Sequence, residues 1–180
     1  MSLSGFNFQH NHFQLFGLAQ SFKLDMAQLE ISFRALQAQV HPDKSAHLAD
    51  SEQRLAMQRS TLVNEAYQTL KSPIKRARYL LSLQGVDTQE ETNTAMPVDF
   101  LIAQMEWREA VVEAERLRDV TTLEQLEIRM KTDTRELEAQ LAVKIDVEHD
   151  YDVAAQLVRK LRFMEKLAEE IGSAYDEIDN

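Results

Sequence analysis

FRALQAQVHPDKSA, residues 33–46, carries one helical pattern to its end and then breaks it. Counting from the start of that pattern, Met26, Leu29, Phe33, Leu36 and Val40 recur at steps of three, four, three and four, which lays a narrow apolar seam along one helix. Asp25 and Gln28 are spaced as a capping pair at its beginning. Pro42 ends it, because the proline ring lacks an amide donor and disfavours helical backbone at His41. A polar stretch, DKSAHLADSE, follows at 43–52, and then Leu55, Leu62, Val63, Ala66, Tyr67 and Leu70 restart a seam over 51–71. Two seamed helices joined by a loop of about ten residues predict an antiparallel hairpin, with His41-Pro42-Asp43 at its corner.

Shorter elements flank the hairpin. NHFQLFGL, residues 11–18, predicts a short helix rich in apolar side chains, with Gly17 near its end. On the other side, Ser72-Pro73 supplies an N-cap and a first-turn proline, and IKRARYLLSLQG runs to a stop at Gly85. The N-terminal unit is therefore expected over 1–85. Residues 86–97 lack an apolar period and are rich in Thr, Glu and Asp, as a linker would be. From Asp99 three further helices are expected, over 99–118, 121–145 and 150–177, broken at Asp119-Thr121 and at DVEHDYD. Short connections make them a three-helix bundle within 98–180. The fold class is all-α, which the 4 Gly and 3 Pro among 180 residues favour.

Composition removes several kinds of function. Without cysteine there is no disulfide, no thiolate metal site and no cysteine nucleophile. No apolar run approaches the roughly 20 residues of a membrane span, and the first dozen residues lack a secretion signal, so the cytoplasm is the expected compartment. Residues 1–80 hold 9 Lys/Arg against 6 Asp/Glu, whereas 81–180 hold 11 against 24. The second half would repel phosphates, which argues against a nucleic-acid partner there.

The corner admits four readings. His41, Asp43 and His47 are ligand types for a metal, but they sit on one polar loop without a seam to hold their geometry. General acid/base work at His41 would need a pocket and an orienting partner, neither of which the pattern offers. A plain turn or a docking surface remains. FRALQAQVHPDK, a polar loop and LVNEAYQTLKSP together resemble the J-domain, and HFQLFGL before and KRARYLLSLQG after are similar to J-domains of the HscB type, the co-chaperones of iron–sulfur cluster assembly. The resemblance covers about residues 11–175.

It implies an N-terminal J-domain whose His41, Pro42 and Asp43, bordered by Lys44 and Arg34, dock a DnaK-type (HscA-like) chaperone and stimulate its ATPase. The chain itself would then have no catalytic centre, metal or cofactor. Three positions depart from the pattern: Gln37 and Gln39 stand where many J-domains are basic, and His12 stands where an aromatic is expected.

The helix from Asp99 shows two apolar faces when unrolled at about 100° per residue. Phe100, Ala103, Trp107, Ala110, Val111, Ala114 and Leu117 share one; Leu101, Ile102, Met105 and Val112 share the other, bordered by Glu106, Glu109 and Glu113. A bundle helix touching two neighbours needs a wide apolar arc, and a binding patch needs an apolar centre with a polar rim, so the residues alone leave both open. On the last helix Val153, Leu157, Leu161, Met164, Ala168 and Ile171 form the seam, and Phe163 lies about 120° off it, as a flank of the core or a surface anchor. The resemblance implies the binding patch: Leu101, Ile102, Met105, Glu106, Glu109, Glu113 and Phe163 would take an iron–sulfur scaffold protein (IscU-like). A general J-domain co-chaperone for another client is the alternative.

Overall fold

In a computed structural model, residues 7–40, 49–88 and 96–179 are described. Among them every regular element is helical. The chain divides into two compact units, Met1–Leu80 and Leu81–Asn180, a boundary five residues before the Gly85 stop expected from sequence.

The first unit opens with α1, His12–Leu15. The Gln14 amide donates to Asn11 Oδ1 at 2.9 Å and the Asn11 amide donates to Gln14 Oε1 at 3.0 Å, a reciprocal capping box. The helix is shorter than the expected 11–18 because Gly17 turns left-handed at φ +65°, and the Leu18 amide closes back on the Phe13 carbonyl at 2.9 Å. Phe13 is fully buried, so this single turn acts as a plug.

Helix α2, Met26–Val40, begins where the Gln28 amide donates to Asp25 Oδ1 at 3.0 Å. Leu29 and Val40 are buried along its seam, whereas Met26 is 41% exposed. Helix α3, Asp50–Lys71, buries Val63, Ala66, Tyr67 and Leu70. Glu30 and Phe33 of α2 both meet Tyr67 near the far end of α3, so the two helices run antiparallel as the seams require. Helix α4, Pro73–Leu83, starts on proline, takes a weak cap from Ser72 and ends before Gly85 at φ +76°.

The second unit contains α5, Val98–Arg116, α6, Val120–Val143, a π-helical turn, Lys144–Glu148, and α7, Tyr151–Asp179. Asp119 caps α6 by accepting the Thr122 amide at 3.0 Å. At the other end His149 adopts φ +54°, and its Nδ1 lies 2.9 Å from the Ile145 carbonyl oxygen. Phe100 meets Phe163 and Arg108 meets Glu170, so α5 and α7 run parallel, with α6 returning between them. Helix α7 packs on both α5 and α6.

That double contact corrects the expected seam of α7. Val153 is only half-buried and Ala168 is exposed, while Ala154, Val158, Phe163, Leu167 and Ala174 join the buried set. A helix with two neighbours needs a wider apolar arc than one 3.6-residue line provides. Leu117, expected in the core of α5, is 57% exposed because the helix ends at Arg116 and the chain turns away.

Candidate docking surfaces

The corner residues His41, Pro42, Asp43 and Lys44, and His47 beyond them, lie outside the described residues. What is described is the frame that holds the two helices leading to them. The Tyr67 hydroxyl donates to Glu30 Oε2 at 2.5 Å, and the Phe33 ring stacks on Tyr67 at 3.9 Å between centroids. The hydrogen bond from Tyr67, then that from Arg34, holds the Glu30 carboxyl below its ordinary pKa, and Glu30 in turn raises that of Tyr67. Arg34, expected to border the corner, donates to Glu30 Oε1 at 2.9 Å yet keeps three quarters of its side chain in solvent.

A second frame lies at the base of the hairpin. Arg76 is 7% exposed, and its Nε donates to the Phe22 carbonyl at 2.8 Å while a terminal nitrogen donates to the Leu70 carbonyl at 2.5 Å. Its guanidinium also lies 5.0 Å over the Phe22 ring and 3.9 Å from Met26 Sδ. One cation thereby ties the end of α3 to the segment entering α2. Nearby, His12 fills the aromatic position from which it departs: its ring stacks on Tyr79 at 4.1 Å and 12°.

In the second unit, α5 presents an apolar stripe to solvent. Leu101 is 41% exposed, Ile102 52%, Met105 63% and Val112 63%, while Trp107, Val111 and Ala114 on the opposite side are buried. Val98, 72% exposed, extends the stripe by one turn and was missed; its spacing of seven from Met105 was the available signal. Single exposed apolar residues are ordinary; here four share one face of a helix with a polar border, which makes this face a candidate surface. Of the bordering carboxylates, Glu113 is engaged by Arg116, which donates to both its oxygens at 2.6 and 2.9 Å. Glu106 and Glu109 make no ion pair among the described residues.

Phe163 requires a correction. Expected as a surface anchor, it is 6% exposed. Its ring meets Phe100 edge-on at 5.6 Å, and the Arg108 guanidinium covers it at 5.7 Å. Through Phe100 it supports the first turn of α5 from beneath, and it is almost wholly buried.

Among the described residues no helix is long and apolar enough to cross a membrane, and no cluster of three or more His, Asp or Glu is arranged to hold a metal ion. Residues 11–79 match the DnaJ domain family. With a helical hairpin braced at its base and a separate helical unit carrying an apolar stripe, the chain is a J-domain co-chaperone. Residues 96–172 match the HSCB C-terminal oligomerisation domain, and the chain belongs to the HscB family.

It is 48% identical to the co-chaperone protein HscB homolog of an Azoarcus species over 96% of this chain and 97% of that one. The homolog from Chromobacterium violaceum is 53% identical over the same shares. Among solved structures, chaperone HscB from Vibrio cholerae aligns with a TM-score of 0.85 at 38% identity, covering 92% of this chain and 98% of that one. The human co-chaperone protein HscB aligns with a TM-score of 0.87 at 31% identity over 92% and 82%. The family is one of co-chaperones and not of catalysts.

Proposed function

We propose that the chain couples two partners in the cytoplasm: residues 1–85 dock a DnaK-type chaperone and stimulate its ATPase, and residues 98–180, beyond the linker 86–97, present an iron–sulfur scaffold protein to it. The observation that carries the second half is the stripe on α5, where Leu101, Ile102 and Met105 stand in solvent beside Glu106 and Glu109, which make no ion pair among the described residues. An adaptable apolar centre with a charged border is how transient interfaces are built. Glu113 contributes only by exchanging Arg116 for a cation of the partner. Phe163 acts by holding Phe100 and the first turn of α5 in place.

On the other side, His41, Pro42 and Asp43 form the trigger, with Lys44 and Arg34 as its cationic border. Pro42 restricts the backbone and so reduces the entropy lost on docking, while His41 and Asp43 supply a ring donor or acceptor and a carboxylate. The hydrolytic chemistry belongs to the partner. The test is steady-state ATP hydrolysis by a DnaK-type chaperone with the scaffold present. His41→Gln should abolish stimulation while still binding scaffold, and Met105→Ala should weaken scaffold binding by about 1–3 kcal/mol while stimulation by the J-domain alone persists. Full stimulation by folded His41→Gln would overturn the trigger assignment.

A further inference from the structure

We propose that the docking surface on α5 continues two turns past Met105, over Val112 and into the groove between α5 and α7, and that there it takes an apolar side chain flanked by cations on the same iron–sulfur scaffold protein. The inference rests on the scaffold-binding reading above and deepens it. Three observations carry it.

The first is continuity. Val112 is one heptad from Met105, on the same side of α5 and about 10 Å further along the axis, and is equally exposed at 63%. It lines an open groove of about 670 Å³ whose other wall is α7, with Lys166, Glu169 and Glu170. Arg108 joins this groove to the patch, because the same guanidinium that covers Phe163 bridges to Glu170 at 3.3 Å.

The second is extent. A specific interface covers about 800 Å² on each partner, some 20–30 residues. Leu101, Ile102, Met105 and their border occupy a few turns of one helix, well short of that. Apolar surface adjoins them on both sides, at Val98 before them and at the groove beyond Met105, and the groove is the side with a second wall.

The third is charge. Arg108 is taken up by Glu170, which leaves Glu115 and Glu169 at the groove, and Glu109 just before it, without an ion pair among the described residues. Lys166 is the opposing cation on the groove wall. The groove's own lining is nearly balanced, with Glu115, Glu169 and Glu170 against Arg108 and Lys166, but residues 81–180 as a whole hold 24 acidic against 11 basic residues, so a basic partner is favoured over a second copy of this chain. A basic partner surface fits, and its charges would also steer the encounter.

The experiment is calorimetric titration of the full chain with purified, cluster-free iron–sulfur scaffold protein. Val112→Asp should raise Kd at least tenfold without changing the melting temperature. The double variant Glu115→Lys/Glu169→Lys should raise it at least fivefold in low salt, with a smaller effect in 0.5 M salt, and Ile128→Asp, equally exposed on α6, should leave it unchanged. If Met105→Ala weakens binding while Val112→Asp and the double variant stay within twofold of the parent, the scaffold stops at the patch and the extension is wrong. If the parent binds and all of these variants bind equally well, both the patch and the extension are wrong. If the parent does not bind, or if sedimentation shows a dimer that Val112→Asp dissolves, the groove belongs to another occupant and the inference falls.

Discussion

Arg76 shows how one side chain can organise a small helical unit. Its carbonyl partners, Phe22 and Leu70, belong to segments far apart in sequence, and the helix end at Leu70 is where carbonyls lack intrahelical donors. Replacement by Met keeps the volume but strands both acceptors. With charged hydrogen bonds worth about 1.5–3 kcal/mol each, Arg76→Met is expected to destabilise the first unit by about 3 kcal/mol, read as a drop in urea midpoint by circular dichroism. His12 offers a pH test of the same unit. Burial lowers its pKa, more than Glu65 raises it, so the folded unit binds fewer protons than the unfolded chain between that depressed value and the ordinary value near 6.5. Stability should therefore fall as pH drops through this window and level off above it. His12→Phe keeps the stack on Tyr79 and should flatten the difference between pH 5.5 and 7.5; an unchanged slope would place the titration elsewhere.

Helices were legible in this sequence wherever one apolar line accounted for the buried side. The seams of α2 and α3 gave the hairpin, Ser72-Pro73 and Gly85 bracketed α4, and Asp119 marked the start of α6. One line fell short at α7, whose buried arc is wide, and at α1, which stops early. Helix α7 touches both α5 and α6, so a single periodic line could not enclose Phe163 or Leu167, and Gly17 cut α1 to one turn. The exposed face of α5 was legible as a second apolar side, but periodicity could not say whether it met protein or water; exposure decides that. A paired measurement separates the two kinds of position. Phe163→Ala, which empties a buried site beneath Phe100, should cost about 3–5 kcal/mol of stability, whereas Met105→Ala should change stability by less than about 0.5 kcal/mol. Equal losses in thermal melts would place Met105 in the core.

The two units differ in charge and share no composition bias beyond helix. The second unit is acidic, while the first carries a small positive excess. Trp107 adds an optical consequence. It is the only tryptophan in 180 residues, it is buried in the second unit, and the Arg129 guanidinium lies 4.5 Å above its ring. Indole emission therefore reports one half of the molecule and is blind to the other, whereas the far-ultraviolet helical signal sums both. In a urea titration Arg76→Met should move part of the dichroism curve and leave the emission midpoint where it was. A shift of both together would show that the halves melt as one body. The protein thus carries its own fluorophore for asking whether a client that docks on the outer face of α5 is felt across the width of that helix.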